Sequence, residues 1–260
     1  MADSGNNPIK VCVVTSSRSE YGLMRWLLYD LAADPFFNLK IVVTAAHLSE
    51  SYGSTYHEIE ADGFTLDAKI HANTDSSEPI ALSKVVAEVT SGLAKYLDRE
   101  RPDLVLIMGD RYELLGICSA SILCGSPIAH LSGGDISEGA IDDQIRHAVT
   151  KMANLHFVAN EEPANRVRQL GEEGWRVSIS GEPGLENIHR LPLLSRSELE
   201  NDNGIDLSQK TALVTYHPAT LRRESLLQHL DALTEALEKA AKEYSLQYVL
   251  TYPNADVGSD

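Results

Sequence analysis

The sequence has few cysteines and few cations, and each shortage excludes a class of protein. Its 260 residues include three cysteines, Cys12, Cys118 and Cys124, which stand among apolar neighbours without a CxxC pair or a zinc-finger spacing. We therefore expect buried free thiols in a reducing compartment. Lysine and arginine number 22 against 38 aspartates and glutamates, giving a formal charge of −16. This balance argues against nucleic acid or anionic membranes as partners, because both require clustered cations.

A long apolar segment is also missing. Residues 114–134 carry no charged side chain over 21 positions, but Gly125-Ser126-Pro127 interrupts them and serines are scattered on both sides. The pattern predicts a helix, a turn and a strand rather than a membrane span. The opening residues, MADSGNNPIK, contain no apolar signal region. We expect a cytoplasmic protein without a membrane partner.

Continuous apolar runs alternate with amphipathic segments through most of the chain. This order predicts a doubly wound α/β domain, because parallel strands covered by helices on both faces are apolar throughout. Helices are predicted at 20–33, near 51–62 and from Pro79 to Pro102, and strands at 9–15, 39–45, 104–108, 127–131, 155–159 and 177–180.

A second α/β unit is predicted after the polar stretch 195–210, which resembles an inter-domain connection. It consists of a strand at 211–216, a helix at 224–244 and a strand at 247–251. Two strands and one helix cannot cover both faces of a sheet. We therefore predict two domains, 1–194 and 205–260, of which the second is only partly present.

Candidate ligand-binding residues stand just beyond the predicted strands, where open parallel sheets bind their ligands. Arg18 follows the first strand at a helix start and is a candidate anion contact. Asp110 and Arg111 follow the strand at 104–108, either as functional groups or as a mutual ion pair, and His217 ends the strand of the second unit. Neither GxGxxG nor GxxxxGK[ST] occurs, which argues against a dinucleotide or P-loop enzyme.

The densest group of charges is in the segment 139–147. On a helix, Asp142 and Arg146 share one face, and so do Asp143 and His147, because each pair is four residues apart. The group could carry out acid–base chemistry or form a surface ladder of ion pairs. No third ligand has a fixed spacing to Asp143 and His147, so we expect no metal.

Taken in order, these segments resemble the hydrolysing UDP-N-acetylglucosamine 2-epimerases of sialic acid biosynthesis. The resemblance implies two Rossmann-like domains in the GT-B arrangement, with a sugar nucleotide in the cleft between them. It rests on Arg18, Gly109-Asp110-Arg111, Gly133-Gly134 before an acid, Ile141-Asp142-Asp143-x-x-Arg146-His147, Gly181-x-Pro183, His217-Pro218 and Pro253-Asn254-x-Asp256-x-Gly258-Ser259.

The resemblance implies conversion of UDP-N-acetylglucosamine to N-acetylmannosamine and UDP, by elimination and hydration, without a cofactor or a metal. The UDP-sugar is the implied partner, in a homo-oligomer of two or four chains. The implied catalytic residues are Asp110, Asp135, Asp142 and His217. The implied substrate-binding residues are Arg18, Arg111, Ser132, Asp143, Arg146, His147, Asn254, Asp256 and Ser259.

Two departures from the family leave alternatives open. Ser132 stands where members such as the animal bifunctional enzyme carry a catalytic glutamate, and a serine cannot titrate near neutrality. Its role then passes to Asp135 or Asp142, or the substrate is a UDP-2,4-diacetamido-2,4,6-trideoxyhexose of a legionaminic acid-type pathway. Family members also run well beyond residue 260, so we predict a truncated chain. A third reading is an inactive fragment that retains weak sugar-nucleotide binding.

Overall fold

Seven parallel strands form the main sheet of the computed structural model, which describes residues 7–74, 76, 78–217 and 226–251. Their order across the sheet is β3-β2-β1-β4-β5-β6-β7. This confirms the predicted α/β class, and β3 is a three-residue strand that the sequence analysis missed. The strands are β1 (Ile9–Thr15), β2 (Phe37–Thr44), β3 (Ala68–Ile70), β4 (Leu104–Met108), β5 (Ile128–Leu131), β6 (Leu155–Val158) and β7 (Val177–Ile179).

The helices connect these strands and end where the local sequence requires it. Arg101 ends the longest helix in a left-handed conformation (φ 44°), directly before Pro102. The helix predicted near 51–62 is interrupted, because Gly53 takes a positive φ of 83° and separates a 3-10 turn from the helix proper. The helices are α1 (Arg18–Ala33), α2 (Tyr56–Ala61), α3 (Pro79–Glu100), α4 (Glu113–Leu123), α5 (Ile141–Met152), α6 (Glu161–Gln169) and α7 (Glu186–Arg190).

Both faces of the main sheet are buried. Alternate residues of β1 belong to two different apolar clusters, Cys12 and Val14 on one face and Val11 and Val13 on the other. Helices α3, α4 and α5 contribute to the first cluster, and α1 and α2 to the second. This is the arrangement expected of a doubly wound sheet, which presents only its strand ends to a ligand.

One of the three cysteines is not buried as the sequence predicts. Cys12 and Cys118 are buried and free, as expected, but Cys124 is exposed. It follows directly after α4, where the chain turns toward β5, and its thiol lies 3.6 Å from the carbonyl oxygen of Ala94. An apolar neighbourhood in sequence did not ensure burial, because this position is at the end of the helix rather than along its packed face.

The chain divides into two compact units, Met1–Ile188 and His189–Asp260. The second unit contains α8 (Arg196–Asn203), β8 (Lys210–Val214), α9 (Leu226–Tyr244) and β9 (Leu246–Leu250), with β8 and β9 paired in parallel. The domain limits 1–194 and 205–260 stay a prediction. No helix within the described ranges is long and apolar enough to cross a membrane.

The polar segment 195–210, for which the sequence predicts an inter-domain connection, contains the helix α8. A capping box begins this helix, in which Ser195 and Glu198 bond each other's backbone amides, and Gly204 ends it in a left-handed conformation. Polar side chains therefore define the start of the helix, and a glycine in a left-handed conformation defines its end. The helix was not predicted, because α8 buries no residue and so has no apolar face that would show in the sequence. The role of the segment as a connection between domains stays a prediction.

Candidate functional site

The chain turns sharply where three strands of the main sheet end. Gly109 directly after β4 and Gly181 two residues after β7 have φ values of +84° and +80°. Ser132, directly after β5, has a φ of +58° without being a glycine. Such a conformation costs a side-chain-bearing residue roughly 1–3 kcal/mol and is concentrated at functional sites. These turns place the residues that follow them at the carboxyl edge of the sheet.

Arg146 of α5 links the ends of two strands at this edge. Its guanidinium donates to the carboxylate of Asp110, which follows β4, and to the hydroxyl of Ser137 at 3.0 Å. Asp143 accepts a hydrogen bond from the backbone amide of Ser137 at 2.8 Å. Two side chains of α5 thus fix the loop after β5 and the residue after β4 in one arrangement.

The alternative of an ion pair between Asp110 and Arg111 is not what the structure shows. Asp110 pairs with Arg146, and Arg111 pairs with Glu113 at 3.1 Å. The predicted i, i+4 pair of His147 with Asp143 is present at 3.8 Å. The group therefore combines one ion pair along α5 with a second that joins α5 to the residue after Gly109 at the end of β4.

Burial makes Asp110 a stronger base than an ordinary aspartate. Desolvation by burial is the main reason that the pKa of Asp110 is raised, and the negative charge of Asp142 raises it further. Arg146 and Arg111 act in the opposite direction. Asp110 is therefore a half-buried carboxylate whose affinity for a proton is raised, a property suited to a general base.

Glu182 is a site residue that the sequence analysis did not select. It follows Gly181 at the end of β7, and its carboxylate accepts a hydrogen bond of 3.3 Å from the hydroxyl of Ser132. Burial raises its pKa first and Asp135 raises it further, against the effects of Ser132, the Gly184 amide and Arg146. The sequence does contain an indication of it, because Glu182 is the middle residue of Gly181-x-Pro183, one of the motifs on which the family resemblance rests.

Arg111 is fixed by a buried carboxylate. The side chain of Glu113 is 0% exposed and that of Arg111 is 11% exposed. Nearby, burial raises the pKa of Glu20 to about 7 and lowers the pKa of His47 to about 4, and the charge of Arg111 acts on both groups. A positive charge is thus held at the end of β4 with little freedom to move.

The remaining predicted residues have different surroundings. Arg18 is exposed at the first position of α1, and His217 is exposed three residues after β8 in the second unit. Asp135, Asp142 and His147 are half-buried in the first unit. Asn254, Asp256 and Ser259 lie outside the described residues. Within the described ranges, no group of three or more histidine, cysteine, aspartate or glutamate side chains is placed to hold a metal ion.

The fold is of the α/β, GT-B-like epimerase class. It is similar to the structure of a putative UDP-N-acetylglucosamine 2-epimerase from Listeria monocytogenes, with a TM-score of 0.77 and 20% identity. The match covers 94% of this chain and 62% of that one. At this identity the likeness concerns the fold alone.

The model of the UDP-N-acetylglucosamine 2-epimerase family matches residues 29–260, and the chain belongs to this family. It is 37% identical over 247 residues to the GDP/UDP-N,N'-diacetylbacillosamine 2-epimerase (hydrolyzing) of Campylobacter jejuni, covering 95% of this chain and 63% of that protein. It is 33% identical to the UDP-N,N'-diacetylbacillosamine 2-epimerase (hydrolyzing) of Legionella pneumophila, covering 96% and 65%. Polysialic acid biosynthesis protein P7 of Escherichia coli is also 33% identical, with 96% and 63% covered. The chain thus spans less than two thirds of these relatives.

Proposed function

We propose that this chain carries the acid–base groups of a hydrolysing UDP-sugar 2-epimerase whose substrate is UDP-N,N'-diacetylbacillosamine. The observation that carries the reaction class is the network of Asp110, Arg146 and Asp142 at the carboxyl edge of the sheet, beside Arg111. The substrate is supported by the Campylobacter and Legionella relatives, whose names both specify this sugar. This substrate is the UDP-2,4-diacetamido-2,4,6-trideoxyhexose that the sequence analysis gave as the alternative to UDP-N-acetylglucosamine.

The first chemical step must remove UDP, because the hydrogen on C2 of the sugar is not acidic in the intact substrate. As the bond from C1 to the diphosphate breaks, negative charge develops on the phosphate oxygen. We propose that Arg111 stabilises that charge, which is supported by its ion pair with Glu113, and we propose the same role for Arg18 and His217. Removing one such preorganised group typically raises the barrier by about 3 kcal/mol.

Asp110 then takes the proton from C2. The electron pair of the C2–H bond becomes the C1=C2 double bond of a 2-acetamidoglycal, and the raised pKa of Asp110 favours this transfer. Addition of water at C1 and a proton at C2 gives the free 2-epimerised sugar. Because the configuration at C2 inverts, the new proton arrives on the opposite face, which requires a second group. Asp142 and Asp135 are the candidates predicted from the sequence.

A second candidate substrate is UDP-N-acetylglucosamine, which the family description itself names. The two sugars differ at C4, which bears an acetamido group or a hydroxyl, and at C6, which lacks or bears a hydroxyl. The reaction at C1 and C2 is the same for both. The cytoplasmic location and the homo-oligomeric state stay predictions, and so does the inactive-fragment reading of the 260 residues alone.

The test is a comparison of the two nucleotide sugars with the complete gene product. We expect release of UDP from both, with a kcat/KM at least tenfold higher for UDP-N,N'-diacetylbacillosamine. A higher kcat/KM for UDP-N-acetylglucosamine would overturn the substrate assignment. Absence of UDP release from either sugar would overturn the activity itself.

A further inference from the structure

The acidic side chains around Arg146 fall into two pairs that belong to different parts of the sheet edge. Asp110 and Asp142 form one pair, since the carboxylate of Asp142 raises the pKa of Asp110. Glu182 and Asp135 form the other, since Asp135 acts on Glu182 in the same way. Arg146 interacts with both pairs. Arg146 thus interacts with two acidic residues, Asp110 and Glu182, that follow different strands of the sheet.

The two pairs are separated by the order of the strands. Asp110 follows β4 and Glu182 follows β7, and β5 and β6 lie between those strands. Strands are spaced about 4.8 Å apart. Asp110 and Glu182 therefore reach the edge region from strands on either side of β5 and β6, which is compatible with two groups that serve opposite faces of one sugar ring.

Glu182 is held in place by contacts on both sides. The hydroxyl of Ser132 donates to its carboxylate, and the left-handed conformation of Ser132 directs that hydroxyl from the end of β5. Glu182 itself has extended backbone and directly precedes the 3-10 turn Pro183–Leu185, whose Gly184 amide also bonds its carboxylate. The strained residue thus positions an acid 50 positions further along the chain.

We propose that Glu182 is the general acid that returns a proton to C2, on the face opposite Asp110. The assignment rests on the proposed 2-epimerase function and names its second catalytic group. When the glycal has formed, its C1=C2 electron pair takes the proton of the Glu182 carboxyl, which leaves C1 cationic. The oxygen of a water molecule bonds C1, and a proton of that water passes to the Glu182 carboxylate. Asp110 releases its proton to solvent.

The electrostatics of Glu182 agree with this role. A general acid must hold its proton near neutral pH, and both burial and Asp135 raise the pKa of Glu182 in that direction. Asp142 is less suited, because it lies beside Asp110 and belongs to the same side of the site. The role of Asp135 is then to strengthen the hold of Glu182 on its proton.

The test separates the two steps by the substitution Glu182→Gln in the complete gene product. General acid catalysis contributes typically ~10²–10⁴-fold, so we expect the epimerised sugar to form at least 100-fold more slowly while UDP and the 2-acetamidoglycal accumulate. Asp110→Asn is expected to form neither. Ser132→Ala keeps the carboxylate and should lose only a few-fold. Glu186→Gln, the same change at an exposed position four residues on, should behave as wild type.

Direct hydration of synthetic 2-acetamidoglycal in the presence of UDP tests the assignment without the first step. Wild type and Asp110→Asn should hydrate it, whereas Glu182→Gln should not. Equal hydration by wild type and Glu182→Gln would overturn the role of Glu182, and so would equal slowing of both steps in that variant. A wild-type protein that hydrates the glycal but releases no UDP from either nucleotide sugar would instead overturn the proposed function.

Discussion

The two units of this chain use the same parallel strand pairing but bury their residues to very different extents. In the first unit all four residues of β5 and the last five residues of β1 are buried. In the second, no residue of β8, α9 or β9 is buried. Apolar burial is the main stabilising contribution to folding. The first unit has its own core, whereas the described strands and long helix of the second unit bury no residue. The network around Arg146 is built on the unit that contains the buried core.

The largest expected effect is a contrast in amide exchange between the units of the 260-residue chain. Amides of β1, β4 and β5 should exchange only by global unfolding, whereas those of β8 and β9 should exchange by local opening. We expect protection factors that differ by a factor of at least 1,000. Hydrogen exchange followed by mass spectrometry measures both in one experiment. Uniform protection as far as β9 would break the comparison.

Substitution of the buried acid in the first unit should give the next largest effect, and its sign depends on pH. The pKa of Glu20 is raised from 4.5 to about 7 in the folded state. The folded chain therefore binds more protons than the unfolded chain between these values, so the contribution of Glu20 to stability falls as pH rises through this window and is lowest above pH 7. The difference is on the order of 3 kcal/mol.

The variant Glu20→Gln isolates this contribution from that of the buried histidines. Burial lowers the pKa of His47 and of His130 to about 4. Between pH 4 and 6.5 the unfolded chain therefore binds more protons at these histidines than the folded chain does. Their contribution to the free energy of unfolding rises with pH in this window, which is opposite to that of Glu20. Urea unfolding at pH 4.5 and pH 8 should show Glu20→Gln gaining stability relative to wild type at the higher pH. An equal difference at both pH values would contradict the buried state of Glu20.

A smaller effect is expected from glycines of the first unit. Gly134 has a φ of +82°, and a Cβ there would lie 2.6 Å from the carbonyl oxygen of Pro163. Gly134→Ala should therefore destabilise the unit by about 1–3 kcal/mol from the backbone conformation, with the close contact adding to it. Gly139→Ala is the matched control, because its φ of +78° is similar but its Cβ would have nothing within 4 Å. Thermal unfolding should rank the two, and an equal loss in both would remove the role of the close contact.

The sequence predicted six of the seven strands of the main sheet, all but the short β3, but not the partners of the side chains at its edge. Strands such as β4 could be predicted because they are apolar throughout, and Asp110 and Arg146 were both candidates. Their pairing could not be predicted, because they are 36 positions apart and meet only in the folded chain, where α5 packs against α4 and β5. Glu182 was missed for the same reason, since its partner Ser132 lies 50 positions away.

The most direct test of the central claim follows the hydrogen at C2. The complete gene product is incubated with UDP-N,N'-diacetylbacillosamine in D₂O, and the free sugar is examined by proton NMR and mass spectrometry. If one carboxylate removes the proton from C2 and a second carboxyl group returns a proton taken from solvent, the epimerised sugar carries one deuterium at C2. The variant Asp110→Asn should yield no such product. A product that retains its original hydrogen at C2, or normal turnover by Asp110→Asn, would contradict the account.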